Sequence, residues 1–392
     1  MKIGIIGGGI SGVVCAIKAS INNNVTIIER NDKLLKKLLL TGNGRCNYFN
    51  SNMDISNFNS SSNLDSFITE KNINKVLDFY DSIGIIPKIK NGYYYPYSNT
   101  ALSIKEALIK ELKNNKVNVI TDYLVENIEF KNNKFILNNN LEFDKLVIAT
   151  GSRAYPKTGS DGIGYELLNS LNLNIIDPLP SLTPVIGSES YFNDWNGIRC
   201  EAKVSLYENN NFIKEEIGEL QLTNYGLSGI CIFNLSNIIS RGINKGKKEV
   251  IHINFLPFVD NIETFLIERN NKLVNRTIIE LLEGLLNYKL VKVILKKSNI
   301  KEDTILEQIK DKNILYKNLI DFELNIKDTK GYDYSQVCSG GLDLNEINLN
   351  TMEVKKINNL YVIGELLDVD GLCGGYNITF ATLSGIIAGE NI

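Results

Sequence analysis

Hydrophobic positions in the chain come in two rhythms. "KIGII" (residues 2–6) is a short unbroken apolar run, the pattern of a strand buried on both faces. Ile10, Val13, Val14 and Ile17 then recur at i, i+3, i+4 and i+7, one face of a helix, which "NNN" at 22–24 ends. "VTIIER" (25–30) is a second strand, so the chain opens as strand, glycine turn, helix, strand. A polar stretch at 50–65 leads to two helical patterns, 66–83 and 101–114, on either side of the aromatic "GYYYPYSNT". From 117 the texture becomes short strands with turns at Asn-Asn pairs: "VNVIT", "VENIEF", "KFILN" and "LEFD" predict a β-meander. It ends in "KLVIATGS" (145–152), a buried strand running straight into glycine. Residues 186–257 read as all-β, 260–311 as helical and charged, and "LIDFELNIK" (319–327) as one more strand. "VCSGGLDL" and "NNLYVIGELLDVDGLCGGYNITFATLSGIIAGENI" then restore the strand–glycine–helix style of the N-terminus.

This order predicts an α/β domain built from both chain ends, 1–187 and 330–392. A β unit (188–258 and 312–329) interrupts it and is itself interrupted by a helical segment, 259–311. At 392 residues one core is too few. Lys and Arg number 42 against 45 Asp and Glu, a net charge of −3, which disfavours a nucleic-acid protein. The six cysteines form no C-x-x-C and the chain has one histidine, so no metal site is expected. No stretch approaches the roughly 18 apolar residues of a membrane span. The N-terminal apolar run is interrupted by three glycines, which suits the opening motif better than a signal peptide, and the scattered cysteines suit a reducing compartment. A cytoplasmic protein is the expectation.

The turn after the first strand is Gly7-x-Gly9-x-x-Gly12, and Glu29 ends the next strand. Gly7 permits a tight turn, Gly9 leaves room for a pyrophosphate against the backbone, and Gly12 lets helix and strand pack closely. The helix start offers free N–H groups and a positive dipole end to phosphates, and Glu29 can accept from ribose hydroxyls. The motif alone does not separate NAD from FAD. Two further strand ends, Ala149-Thr150-Gly151 and Gly364-Glu365, together with "GGYNITFATLSGIIAG", favour FAD: a last helix capped by Asn377 would place its N-terminus where reduced flavin carries negative charge. In "TGNGRCN" (41–47), Gly42 and Gly44 allow backbone approach, Arg45 can neutralise a phosphate, and Asn43 and Asn47 offer amide hydrogen bonds.

These stretches, with "KKLLLTGNGRCN", "YYYPYSNTA", "ATGSRAYPKTGSDGIGYELL", "LTNYGLSG" and "CSGGLDLNEINLNTME", resemble the aminoacetone-oxidase-like (BaiN-like) family of NAD(P)/FAD-dependent oxidoreductases over nearly the whole length. The resemblance implies a glutathione-reductase-type FAD domain, a β-barrel-like insert and a small helical insert, with "TGNGRCN" wrapping the flavin side of FAD. The expected cofactor set is completed by Ile10, Ser11, Arg30, Lys37, Cys46, Val125, Asp370, Gly374, Gly375 and Tyr376. Asn224 and Asn174 stand where the family commonly has histidine, so a histidine proton relay is not expected. Cys338 and Cys373 stand where threonine is common.

His252, between Ile251 and Ile253, is expected on the outer face of its strand. Tyr93, Tyr94, Tyr95 and Tyr97 suit either a substrate pocket or strand packing, and Asp368 and Asp370 suit a turn over the flavin. The expected activity is hydride transfer between flavin N5 and a small organic substrate or NAD(P)H, with NADH or NADPH binding transiently since no second dinucleotide motif follows a strand. The alternatives are an amine oxidase that uses O2 and releases peroxide, and a non-catalytic flavin-binding sensor or scaffold. Flavin-dependent RNA modification is disfavoured by the net charge and by the lack of a basic aromatic tract. No catalytic residue is assigned, and the oligomeric state is open.

Overall fold

The computed structural model describes all 392 residues, which divide into two compact units, Met1–Leu179 with Ser335–Ile392, and Pro180–Tyr334. The first opens with β1 (Lys2–Ile6), α1 (Ile10–Ala19) and β2 (Asn24–Ile28). Short strands β3 (Phe49–Asn50) and β4 (Phe58–Asn59) precede α2 (Glu70–Ser82), the hairpin β5 (Pro87–Lys90) and β6 (Tyr93–Pro96), α3 (Ala101–Asn114) and β7 (Asn118–Ile120). Then come β8 (Ile128–Lys131), β9 (Lys134–Leu137), β10 (Leu141–Phe143), β11 (Lys145–Ile148), α4 (Ile163–Ser170) and β12 (Ile175–Ser181).

The second unit contains β13 (Val185–Gly187), α5 (Phe192–Trp195), β14 (Arg199–Glu208), β15 (Asn211–Leu222), β16 (Gly226–Gly229), α6 (Ile230–Asn244) and β17 (Glu249–Asn254). The helices α7 (Ile262–Lys272), α8 (Ile278–Glu283), α9 (Tyr288–Lys297) and α10 (Lys312–Ile320) lead to β18 (Phe322–Thr329). The chain then returns to the first unit as β19 (Val337–Leu342), β20 (Ile347–Asn348), β21 (Glu353–Val354), β22 (Leu360–Val362), β23 (Asp370–Gly371) and α11 (Tyr376–Asn391).

A seven-stranded sheet of order β20-β21-β22-β11-β1-β2-β7 runs through the first unit. The pairs β22–β11, β11–β1, β1–β2 and β2–β7 are parallel. Ile3, Ile5, Val25, Ile27 and Leu146 to Ile148 are buried in it, which explains their unbroken apolar runs. α1 packs on α11, where the hydrogens of Gly385 and Gly389 face the α1 backbone. A Cβ on Gly385 would sit 2.5 Å from the Ser11 carbonyl oxygen. This is the Rossmann-like α/β architecture expected. The meander is smaller than expected: β8, β9 and β10 form it, whereas "VNVIT" supplies β7 at the edge of the parallel sheet. Local alternation cannot tell which sheet a short strand joins, because that depends on partners far along the chain.

In the second unit β13-β16-β15-β14-β17-β18 close into a barrel. Its interior and the apolar faces of α6 to α10 belong to one core around Trp195, Phe255 and Phe322. The all-β reading of 186–257 missed α6. Cys231, Ile232, Leu235 and Ile239 do lie on one buried helical face, but the isoleucines suggested strand. His252 lies on the opposite side from the fully buried Ile251 and Ile253, as alternation predicts. Its ring rests on Tyr207 and Nδ1 lies 2.6 Å from Asp321 Oδ1.

Candidate cofactor and substrate site

The three motif glycines do different things. A Cβ on Gly7 would lie 2.3 Å from the Ala149 carbonyl oxygen, and one on Gly12 would lie 2.1 Å from the Gly7 carbonyl oxygen. Both are closed against their neighbours, bringing β1, α1 and the end of β11 together. Gly9 faces open space, with nothing within 4 Å of where a Cβ would be. It caps α1 without a side-chain hydrogen bond, and the first turn holds no acidic residue. In the same unit α2 and α3 are capped by the hydroxyls of Thr69 and Thr100. The free N–H groups at the start of α1 therefore border open space, the arrangement that receives a diphosphate.

Glu29 is 7 % exposed. Its Oε2 accepts from Gly8 N at 2.7 Å and its Oε1 from Asn31 N and Nδ2. The carboxylate thus braces the glycine turn. Ser11 packs against Gly364, whose own Cβ would be 2.4 Å from Ser11 Oγ. Thr150 packs against Gly164, and Gly151 against Ser160. Arg30 pairs with Asp161, its Nη1 2.5 Å from Oδ2. Ile10 is partly buried, and Val125 is buried in the core just after the segment where Tyr123 N donates to the Glu29 carbonyl.

Lys37 and Glu365 join the loop after β2 to the end of β22. Nζ lies 2.5 Å from Oε2, which also accepts from Ser152 Oγ at 3.1 Å. Cys338 belongs to the same group. Burial pushes its thiol up to about 11, opposed by a bond to the Arg153 backbone, by Ser152 and by the Lys37 charge.

The segment 41–47 is a tight coil, with Gly42, Asn43, Gly44 and Cys46 all at positive φ. Asn43 and Arg45 are exposed, and Arg45 Nε donates to the Gly42 carbonyl at 3.1 Å while its guanidinium lies over the Tyr95 ring. The Cys46 side chain is fully buried, bonded by Thr41 and beside Tyr48 and Tyr80. Burial raises its thiol to about 12, so it serves the core. Asn47 Oδ1 is buried and has no hydrogen-bond partner. Such an orphaned acceptor costs about 1–3 kcal/mol, and a donor on a bound group would relieve it.

At the other side of this coil, Gly374 and Gly375 take positive φ and lead into α11. A Cβ on Gly375 would lie 2.7 Å from the Phe49 carbonyl oxygen. One on Gly374 would meet Tyr93 at 2.9 Å and Tyr376 at 3.1 Å. Asn50 Nδ2 donates to the Gly374 carbonyl at 2.9 Å, a brace with no signal in sequence. Asn377 does not cap α11. Gly375 is the cap, and Asn377 sits inside the first turn, where its amide pairs with both backbone groups of Gly371 at 2.8 and 2.9 Å. A glycine in the left-handed region already turns the chain into the helix, leaving the amide free to hold the Asp370–Gly371 strand. Asp368 Oδ2 accepts from Ser61 N and Oγ, and Asp370 is buried where β23 pairs with β4.

The tyrosine run resolves by alternation. Tyr94 packs edge-on against Phe49 in the core, and Tyr97 is exposed. Tyr93 and Tyr95 face the other way, toward Gly374 and Gly42. Burial raises the Tyr93 phenol, with Cys373 and Tyr95 adding to it. Burial pushes Tyr376 up to about 12, with Tyr93 contributing, and Cys373 up to about 11. Tyr376 also meets Phe58 edge to face. Two protonated phenols and a thiol thus gather at the start of an α11 that, like α1, has no side-chain cap and no acid in its first turn. Asn224 is exposed, and Asn174 bonds Asp343 at 3.0 Å.

The residues fit FAD. Open N–H groups stand beside Gly9, Glu29 lies at the end of β2, an unpaired acceptor sits at Asn47, and a second uncapped helix start lies at Gly375.

Known proteins resemble this chain over nearly its whole length. The family model described as "HI0933-like protein Rossmann domain" matches residues 1–391. The 3-dehydro-bile acid delta(4,6)-reductase of Clostridium scindens is 34% identical, over 99% of this chain and 98% of its own. The ribosomal RNA dihydrouridine synthase of Escherichia coli is 29% identical, over 99% and 97% respectively. Among solved structures, a 3-ketosteroid-delta4-(5alpha)-dehydrogenase from Rhodococcus jostii aligns over 99% of this chain and 96% of its own, with 12% identity and a TM-score of 0.49.

Proposed function

We propose, for a chain that belongs to the HI0933-like family of FAD-dependent oxidoreductases, that it reduces a carbon–carbon double bond conjugated to a carbonyl. The names of the two relatives support this choice. A 3-oxo-Δ4 steroid ring and a uracil ring share that group, and each name describes its saturation. Bound FAD would supply the hydride from N5 to the β-carbon of such a substrate, after reduction by NADH or NADPH.

The chain's own residues have three tasks. The start of α1, with Gly9 open beside it, would hold the diphosphate, and Glu29 would fix the turn that positions it. Asn47 and Lys37 would face the ribityl and ring side, and the uncapped start of α11 would favour the negative charge of the reduced ring. Tyr376, a phenol protonated at neutral pH, lies beside Tyr93 at the start of α11, and its Oη would give a proton to the substrate α-carbon. The observation that carries the reading is the pair of uncapped helix starts, α1 and α11, in one unit with a buried unpaired amide at Asn47.

Anaerobic titration tests it. NADPH or NADH should bleach the flavin, and a 3-oxo-4-ene steroid should restore its colour without oxygen. Bleaching by an amine with peroxide release in air would favour the oxidase instead. A flavin that no donor reduces would favour a sensor or scaffold.

A further inference from the structure

Hydride addition at the β-carbon of an enone leaves two further atoms in need of a donor. The α-carbon takes a proton. The carbonyl oxygen, separated from it by a single carbon, takes the negative charge of the enolate. Tyr376 serves the first of these atoms, and the second has no donor assigned.

Tyr93 stands next to Tyr376 across one residue of another segment. A Cβ on Gly374 would lie 2.9 Å from Tyr93 Cε1 and 3.1 Å from Tyr376 Cε2, and the residue sits at φ +145°. The two rings thus flank a position that only glycine can fill. Tyr93 is fixed from its own strand as well. In the pairing of β3 with β6 it lies opposite Asn50, whose Nδ2 donates to the Gly374 carbonyl at 2.9 Å. Asn50 is buried, so its amide ties β6, Gly374 and the start of α11 into one frame. Tyr376 is buried edge-on against Phe58, while Tyr93 is half-buried. Burial, then Cys373 and Tyr95, raises the Tyr93 phenol; burial, then Tyr93, raises that of Tyr376. Both are therefore O–H donors at neutral pH, and neither is an anion that would repel an enolate. Two adjacent donors match two acceptor atoms one carbon apart.

We propose that Tyr93 is a second catalytic residue of this site, donating from Oη to the substrate carbonyl oxygen while Tyr376 delivers the proton to the α-carbon. This rests on the reductase reading and adds a residue to it. As hydride from the reduced flavin bonds to the β-carbon, the electron pair of the C=C bond moves toward the carbonyl oxygen. The Tyr93 hydrogen bond carries that charge without giving up its proton. The Tyr376 O–H bond then breaks as the α-carbon gains its C–H bond, and water returns a proton to the phenolate after product leaves. A fixed donor aimed at charge that develops in the reaction is worth more in a half-buried site than in water.

The test uses the FAD-loaded protein and 4-chlorophenol, whose phenolate has the oxygen charge and flat conjugation of the enolate. A phenolate stacked on oxidised flavin gives a long-wavelength charge-transfer band, so binding is read without turnover. The parent should bind the probe as phenolate at neutral pH, where the free phenol is uncharged. Tyr93→Phe should bind it about 100-fold more weakly and show the band only at higher pH, whereas Tyr376→Phe should stay within about three-fold of the parent. Retained FAD reports that each variant is folded. 3-Fluorotyrosine at position 93, a stronger donor with the same ring, should tighten phenolate binding. With a 3-oxo-4-ene steroid, Tyr93→Phe should also slow reoxidation of the reduced flavin by about 100-fold at saturation. The inference is overturned by the absence of a band in the parent, by phenolate binding indifferent to both changes at position 93, or by its loss in Tyr376→Phe instead. In each of those cases steroid-driven reoxidation of the parent leaves the reductase reading intact. A parent that no enone reoxidises ends the reductase reading, and the inference with it.

Discussion

Glu249 is an acid in the wrong place for its charge. At the start of β17 it is 1 % exposed, and neither carboxylate oxygen has a hydrogen-bond partner. It lies beneath α6, where a Cβ on Gly242 would be only 1.8 Å from Oε1, so that helix position must be glycine for the side chain to fit. Burial raises its carboxyl to about 7. Glu208 adds to the shift, and Lys247, itself paired with Glu208 at 2.5 Å, opposes it.

A folded value above the unfolded 4.5 means that folding favours the neutral acid. Below pH 4.5 the group is neutral in both states and costs nothing. Stability then falls as the pH rises through the folded value, and above it the full penalty applies. Moving the carboxyl from 4.5 to about 7 corresponds to on the order of 3 kcal/mol. Glu249→Gln removes the titration, although its amide brings a pH-independent cost of about 1–2 kcal/mol if it also lacks partners. The advantage of the variant over the parent should therefore grow by about 2.5 kcal/mol between pH 5 and pH 8, since a small part of the penalty is already present at pH 5.

Urea unfolding followed by tryptophan fluorescence reads this directly. Trp195, the sole tryptophan, is fully buried in the same unit, stacked on Phe192 and beside Phe322. A stability difference that stays flat from pH 5 to pH 8, or that moves the other way, would mean that Glu249 is not buried as a neutral acid.

Three further changes probe the cofactor unit. Gly12→Ala puts a methyl group 2.1 Å from the Gly7 carbonyl oxygen; it should cost about 1–3 kcal/mol in thermal stability and yield protein purified with far less bound flavin. Asn47→Leu removes a buried acceptor that lacks a partner. Calorimetry should show the FAD-free protein stabilised by about 1 kcal/mol, and flavin titration should show FAD bound roughly ten-fold more weakly; unchanged affinity would place Asn47 outside the site. Tyr376→Phe should slow reoxidation of the reduced enzyme by a 3-oxo-4-ene steroid by about 100-fold, with flavin reduction by NADPH unchanged in stopped-flow traces.

Local pattern was enough to read the glycine turn, the buried strands on either side of it and the return of the α/β style near the C-terminus, because each rests on residues within one strand–turn–helix unit. What depends on distant partners was not readable. Alternation in "VNVIT" says strand, yet only pairing with β2 places β7 in the parallel sheet. α6 was hidden by isoleucines whose strand preference the barrel overrides. At the site, the Gly7-x-Gly9-x-x-Gly12 turn was legible from spacing, whereas the bonds of Glu29 to Gly8 and Asn31 were not. The bracing of Gly374 by Asn50 was not, since 324 residues separate them. Asn377 looked like a cap because asparagine often is one. Its pairing with Gly371 follows from a loop geometry that no spacing rule encodes.

Whether α1, the 41–47 coil and the start of α11 grip one FAD is read from the visible absorbance of the purified protein, with the released cofactor identified after denaturation. The expected result is a yellow protein carrying close to one FAD per chain, or a colourless one that takes up FAD stoichiometrically when it is added. Protein that stays colourless in excess FAD, or that releases a different cofactor, would contradict it.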